Sequence, residues 1–201
     1  VDVYNYLYAV AGLGVDCAGF VYTVAKSVLR AAGVDPDREY GRMWGVAPAR
    51  AAQYAGLSFF DPRNGFTETA SERIEDLRPG DLILFRGSDG FFKHSAMIQS
   101  IDLEQGTLRY VQSTDWAPED ERGVHDSIIR FDNPGRTLRD PSLQWLQQVR
   151  PPFRGEVEPR YWRTDGHRYF WYPADQGSVV ARLRLLKTAL LRLDPRYYEN
   201  L

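Results

Sequence analysis

Cys17 is the only cysteine in the 201-residue chain and the first residue considered for chemistry. It stands in the stretch GVDCAGFV, residues 14–21, at the predicted start of a helix. A free cysteine is among the most buried residue types, so a small apolar role in the core is the ordinary alternative. A nucleophilic cysteine must form a thiolate, and its usual pKa of about 8.5 leaves only a few per cent ionised at neutral pH. The positive end of a helix dipole and a nearby imidazolium would both lower that pKa, and the helix start supplies the first.

The imidazolium has to come from one of three histidines. His94 opens a predicted strand after a glycine-rich turn, where a side chain can project from the end of a sheet into a cleft. His125 and His167 lie beside polar loops and turns and are predicted at the surface. A histidine base needs a partner that orients its far ring nitrogen. Gln112 can reach His94 if their strands form a hairpin, and its amide oxygen accepts a hydrogen bond without adding a full charge.

These side chains require a helix and a hairpin to position them. Apolar residues at helical spacing predict a helix from Cys17 to about Ala32, with Asp16 as the N-cap and Gly33 as the stop. Turn signals separate the remaining elements, which are a second helix over 48–54, a polar loop over 57–72 and strands over 82–85, 95–101, 107–113 and 127–131. Helices followed by short strands are typical of an α+β domain with an antiparallel sheet.

The amino-acid composition excludes several kinds of partner and site. The chain is 43% hydrophobic and 26% charged with a formal net charge of -2, which is ordinary for a globular protein and gives no reason to expect nucleic acid as a partner. No apolar run approaches the roughly 20 residues that span a bilayer, so no integral membrane segment is expected. The first residues do not show the basic and apolar regions of a signal peptide. A single cysteine excludes an internal disulfide, and the dispersed histidines predict no metal site and no cofactor.

Four blocks of the sequence, in this order, resemble the signature of the NlpC-type cysteine peptidases, which are papain-like enzymes of bacterial cell walls. They are GVDCAGFV at 14–21, LRPGDLILF at 77–85, HSAMIQS at 94–100 and YVQST at 110–114. The resemblance covers roughly residues 4–131, with 57–72 as an insertion. Permuted relatives place the histidine before the cysteine, whereas Cys17 precedes His94 here.

The resemblance implies a role for each matching residue. Cys17 would be the nucleophile, His94 the general base and then the acid, and Gln112 the orienting residue, a position that is commonly histidine in the family. Substrate-binding and oxyanion roles would fall to residues around the nucleophile, namely Tyr8 or Tyr6 (with Tyr4 as a competitor), Asp16, Ala18 and Trp116. Asp16 matches the family's acidic residue that holds a free L-Ala amine, and Ala18 stands where the family usually has serine. Asp81 of the Gly-Asp turn is expected to be structural.

The resemblance also implies a fold and a function. The expected fold is α+β and papain-like, with the nucleophile-bearing helix packed on a central antiparallel sheet. The peptidase domain would span 1–150. Residues 132–201 lie outside the resemblance; there the sequence pattern itself predicts a C-terminal extension over 151–201, packed on the same domain, with aromatic strands around 161–162 and 169–172 and an amphipathic helix over 178–193. The expected activity is hydrolysis of peptidoglycan stem peptides in the cell envelope, at the bond between γ-D-glutamate and a diamino acid.

Two alternatives stay open at this point. A papain-like amidase or acyltransferase could act on a different amide or ester. A non-catalytic cell-wall-binding module could retain the fold, although it would have no need to keep Cys17, His94 and Gln112 together.

Overall fold

The computed structural model describes residues 16–44, 57–114, 123–148, 162–166 and 177–185. Within them lie two α-helices, α1 (Cys17–Ala31) and α2 (Pro36–Trp44). The strands are β1 (Thr67–Thr69), β2 (Leu82–Arg86), β3 (Phe92–Asp102), β4 (Thr107–Thr114), β5 (Gly123–Arg130), β6 (Gln144–Gln148), β7 (Trp162–Thr164) and β8 (Val179–Leu183). Three short 3-10 turns add Leu57–Phe60, Pro62–Asn64 and Ile74–Asp76.

All eight strands belong to one antiparallel sheet with the order β1-β8-β2-β3-β4-β5-β6-β7. From β2 to β7 each strand lies beside the next one along the chain, as in a meander. Strand β8 comes last in the sequence yet lies between β1 and β2. Both β7 and β8 follow residue 150, so chain from the predicted extension forms part of the same sheet as the earlier strands.

The sheet has two buried faces, because successive side chains of a strand point to opposite sides. We call one the helix face, since α1 packs there against Leu82, Leu84, Met97, Ala181 and Leu183. We call the other the far face, and its buried side chains include Ile83, Phe85, Ala96, Ile98, Tyr110, Ile129, Trp145 and Val180. Burying one large apolar side chain contributes about 1.5–3 kcal/mol, so both faces stabilise the sheet.

Helix α1 confirms the helix that was predicted from the spacing of apolar residues. The side chain of Asp16 caps its N-terminus by accepting a hydrogen bond from the Gly19 amide. Its buried residues are Ala18, Val21, Tyr22, Ala25 and Leu29, which recur every three or four positions and so share one face. Gly33 follows the helix with φ of 72°, a backbone conformation that glycine adopts without steric cost.

The predicted α+β papain-like fold is wrong. The described residues form mostly an eight-stranded antiparallel sheet, accompanied by two short α-helices of 15 and 9 residues. Sequence patterns underestimated the sheet because three of its strands, β1, β6 and β8, were predicted as loop, as no element or as helix. The prediction over 48–54 and the aromatic strand over 169–172 lie outside the described residues.

Strand β8 replaces the beginning of the amphipathic helix that was predicted over 178–193. Its sequence Val-Val-Ala-Arg-Leu is a short apolar run, which periodicity alone does not assign to strand or helix. Val180 is buried on the far face, while Ala181 and Leu183 are buried on the helix face. A strand with apolar side chains on both faces suits an internal place in a sheet, and β8 has neighbours on both edges. Residues 186–193 lie outside the described ranges.

The polar loop predicted over 57–72 also contains regular structure. It begins with 3-10 turns and continues into β1, which pairs with β8 in the register Thr67–Leu183. Phe60 and Phe66 from this segment are buried in the core on the helix face. The segment is therefore integrated with the sheet edge rather than set apart from it.

Asp81 is held by a residue of β8. Its two carboxylate oxygens each accept a hydrogen bond of 2.7 Å from the Arg182 guanidinium, and one also accepts from the Arg78 amide. Arg182 lies in the segment that was predicted as an amphipathic helix, and its place on a strand instead puts its guanidinium beside Asp81. The pKa of Asp81 is raised, because burial of the carboxylate outweighs the lowering effects of Arg182 and Arg78. Asp81 thus joins the start of β2 to β8.

Neither described helix is long and apolar enough to cross a membrane.

Candidate active site

Cys17 is the first residue of α1 and is half-buried. The residues around it are explained by the helix start: Asp16 is the cap, and Ala18 is 2% exposed in the core against the helix face. A Cβ at Gly19 would lie only 2.9 Å from Asp16 Oδ1, so glycine permits the close approach of the capping carboxylate. The motif around the cysteine therefore has a local structural cause in addition to any chemical role.

The pKa of the Cys17 thiol is raised, which corrects the expectation of a lowered value. Burial of the thiol is the largest cause. The polar groups of Ser95 and the Ala18 amide act against it by favouring the thiolate, while the Asp16 charge raises the pKa further. In this arrangement the resting side chain is a neutral thiol at neutral pH.

Ser95 contacts Cys17 at the point where two strands separate. The pairing of β3 with β4 begins at Ala96–Gln112 and runs to Asp102–Thr107. Beyond Gln112, residues Ser113 and Thr114 stay paired with β5. Ser95, which lies beside the Cys17 thiol, thus falls just past the last β3–β4 pair. We call this place the β3–β4 opening.

His94 lies on the far face, on the other side of the sheet from α1. It is paired with Phe85 of β2, and the two rings have centroids 5.5 Å apart. Phe85 belongs to the far-face core, and paired residues of neighbouring strands share a face. Cys17 and His94 therefore lie on opposite faces of the sheet, and Ser95, which is paired with Leu84 on the helix face, follows His94 in the chain.

His94 and Gln112 are in direct contact, as the predicted hairpin required. His94 Nε2 lies 2.8 Å from Gln112 Oε1, and both side chains are buried, at 4% and 0% exposure. An amide oxygen only accepts hydrogen bonds, so Nε2 must carry the ring proton in the neutral imidazole. The other nitrogen, Nδ1, then has a lone pair and has the electronic form of a general base.

Gln112 is itself oriented by groups that the sequence analysis did not single out. Its amide nitrogen donates to Asp165 Oδ2 at 2.8 Å and to Ser127 Oγ at 3.1 Å. Tyr110 donates its hydroxyl hydrogen to the same Asp165 oxygen. Burial, together with the nearby Asp165 charge, raises the pKa of Tyr110 well above its usual value, so Tyr110 stays a neutral donor.

Some of these residues had a signal in the sequence and others did not. Tyr110 and Gln112 are two apart on β4 and so share a face, which alternation alone could have indicated. Asp165 lies 53 residues beyond Gln112 in sequence, just after β7, and no pattern connects the two. Ser95 is the neighbour of His94, but only the packing of α1 brings it to the thiol.

The remaining predicted site residues fall into two groups. Asp16 and Ala18 lie at the start of α1, as described, where their structural roles are a helix cap and a core contact. Tyr8, Tyr6, Tyr4 and Trp116 lie outside the described residues, as does His167. His125 was predicted at the surface, but it is 3% exposed and its Nδ1 lies 3.0 Å from the Gln148 carbonyl oxygen.

Across the described ranges, no group of three or more histidine, cysteine or acidic side chains is placed to hold a metal ion. Comparison of the chain with family models, with curated proteins and with solved structures found no match.

Proposed function

We propose that this chain is a cysteine-dependent hydrolase of amide bonds, with Cys17 as the nucleophile and His94 as the base. The observation that carries the proposal is the His94–Gln112 contact, because it puts the ring proton on Nε2 and leaves Nδ1 able to accept one. The position of Cys17 at a helix start, against the residue next to His94, adds support.

The proposed reaction starts from the neutral thiol. For proton transfer, Cys17 Sγ must reach His94 Nδ1 through the β3–β4 opening. Nδ1 takes the thiol proton as Sγ attacks the carbonyl carbon, and the backbone amide of Cys17 at the helix start stabilises the oxyanion. Collapse of this intermediate breaks the C–N bond, and the leaving amine takes the proton from Nδ1. Water, activated by Nδ1, then hydrolyses the thioester and restores the thiol.

The proposed substrate class comes from the sequence blocks that resemble NlpC-type peptidases. We infer a peptidoglycan stem peptide cleaved after γ-D-glutamate, and action at the cell envelope follows from the same inference. Ala18, which replaces the family's usual serine, leaves an amidase or acyltransferase with another acyl substrate as the alternative within enzymes.

A non-catalytic cell-wall-binding module is the alternative from another class, and the raised pKa of Cys17 is the observation that favours it. A cysteine with a purely structural role is expected to have a neutral, half-buried thiol. The enzyme proposal therefore depends on proton transfer to His94 during the reaction rather than on a thiolate formed beforehand.

The test incubates the full chain with purified stem peptides and follows products by mass spectrometry. We expect one amide bond to be cleaved, and a peptide mass to appear on Cys17 when the reaction is quenched early. Cys17→Ala and His94→Ala should each lose at least a thousandfold in kcat, since the two side chains act as one unit. Gln144→Ala, an exposed position on β6, is the control and should keep full activity. Binding of stem peptides without cleavage or acylation would support the binding module instead.

A further inference from the structure

Asp165 is a buried acid that lies outside the sequence blocks on which the proposed function rests. It follows β7 directly and is 0% exposed. Its backbone amide donates to the Trp145 carbonyl oxygen at 2.9 Å, which attaches it to β6. The carboxylate is thereby held on the far face, beside Tyr110 and Gln112 of β4.

The carboxylate decides which way the Gln112 amide points. An ionised carboxylate only accepts hydrogen bonds, so the Gln112 group that faces Asp165 must be its NH2. Ser127 Oγ accepts a hydrogen bond from the same amide nitrogen. The Gln112 oxygen is then directed at His94 and accepts a hydrogen bond from the Nε2–H group. A rotated amide would present NH2 to His94 and would require the proton to be on Nδ1, where the proposed base must be unprotonated.

We propose that Asp165 is a positioning residue that fixes the orientation of Gln112 and, through it, the Nε2-protonated tautomer of His94. The proposal rests on the proposed function for its catalytic consequence, but the tautomer itself can be observed without any activity. Tyr110 supports the same arrangement, since its hydroxyl also donates to the carboxylate and helps to balance a buried charge.

The first experiment measures the His94 tautomer in the full wild-type chain by 15N NMR of the imidazole nitrogens, with His94→Gln used to assign the signals. We expect a protonated Nε2 and an unprotonated Nδ1 at pH 8. A protonated Nδ1 would overturn the proposal, and this measurement does not depend on the folding of any Asp165 variant.

The second experiment compares Asp165→Asn with Asp126→Asn, a matched exposed acid on β5. In Asp165→Asn we expect a mixture of His94 tautomers and a fall in kcat of tenfold or more, with KM little changed. Asp126→Asn should leave all three quantities unchanged. A purely structural Asp165 would lower the melting temperature while the tautomer stayed as in the wild type, and that result would reject the proposal.

The two proposals fail in different ways. If the tautomer responds to Asp165→Asn while the wild type cleaves no amide, the positioning role stands and the hydrolase proposal fails. If peptide cleavage is present and Asp165→Asn changes neither the tautomer nor kcat, the hydrolase proposal stands and Asp165 has no positioning role.

Discussion

Ser95, the residue that follows His94 in the chain, lies beside the Cys17 thiol and favours its ionised form. This contact joins the start of α1 to β3 at the point where β3 and β4 cease to pair. Ser95 stabilises a negative charge on sulfur, but burial opposes it more strongly. The balance between these two effects decides how the thiol reacts.

The pH dependence of Cys17 alkylation tests that balance directly, because the chain has no other cysteine. Since the pKa is raised, we expect the rate with iodoacetamide to reach half its maximum above about pH 8.5. His94→Ala should leave this midpoint nearly unchanged while abolishing peptide cleavage. A midpoint below pH 7 that His94→Ala removes would mean that a thiolate–imidazolium pair exists in the resting protein.

The same shift predicts a loss of stability in alkaline solution. The folded state favours the protonated thiol, so the contribution of Cys17 is present below about pH 8.5 and is lost as the pH rises through the folded-state pKa. Denaturant unfolding at several pH values should show this decline in the wild type. Cys17→Ala should remove the part of the decline that comes from the thiol, and an identical pH profile in both proteins would contradict the prediction.

Asp16 has two effects that separate variants can distinguish. Asp16→Asn should retain the helix cap, because asparagine is as good an N-cap as aspartate, while removing the charge that raises the pKa of Cys17. We therefore expect its alkylation midpoint to move to lower pH with little change in stability. Asp16→Ala should lower the midpoint as well and cost about 1 kcal/mol of unfolding free energy. Equal stability of the two variants would show that the cap contributes nothing.

Gln112 is expected to matter for both activity and stability. Gln112→Ala removes one buried hydrogen bond each from His94, Asp165 and Ser127. Such a loss costs about 1–3 kcal/mol, and we expect kcat to fall by at least tenfold because His94 loses its orientation. Thermal unfolding and peptide cleavage measure the two effects, with Gln144→Ala as the exposed control. Unchanged cleavage by a folded Gln112→Ala protein would exclude an orienting role.

The ion pair between Arg182 and Asp81 predicts that the stability lost in Arg182→Ala depends on pH. Arg182→Ala removes the guanidinium from a carboxylate that is 1% exposed, and breaking such a pair costs about 3 kcal/mol. Burial already raises the pKa of Asp81, so Asp81 should bind a proton more readily in Arg182→Ala than in the wild type. The difference in unfolding free energy between the two proteins should therefore narrow as the pH falls towards 4. Arg130→Ala, at an exposed position of β5, should change the unfolding free energy by less than about 0.5 kcal/mol. A constant difference between pH 4 and 7 would argue against the buried carboxylate as the cause.

Local patterns predicted the elements that depend on neighbours in the sequence. The cap at Asp16, the apolar spacing and Gly33 were enough for α1, and strand alternation between turn signals was enough for β2 to β5. The pairing of β3 with β4 followed from a short connection, and with it the contact between His94 and Gln112. In each case the interaction that forms the element lies within a few residues or across one turn.

The fold class could not be predicted in the same way, because it depends on pairings that are distant in sequence. Whether Val179–Leu183 becomes a helix or a strand is decided by the open edges of β1 and β2, which lie about 100 residues earlier. A short apolar run is compatible with the spacing of a helix or of a strand, so pairing with neighbouring strands decides which of the two forms. Because of the additional strands, the structure has one large antiparallel sheet and not the predicted α+β papain-like fold.

The sequence by itself determined which side chains could do chemistry, and it predicted the helix of Cys17 and the strands of His94 and Gln112. Only the tertiary structure decided their protonation and their mutual orientation. Burial of the Cys17 thiol outweighs the local features that would lower its pKa, and the orientation of Gln112 depends on Asp165, 53 residues away. The physical reason is that desolvation and hydrogen-bond direction are properties of the packed surroundings, which no neighbouring residue in the sequence specifies.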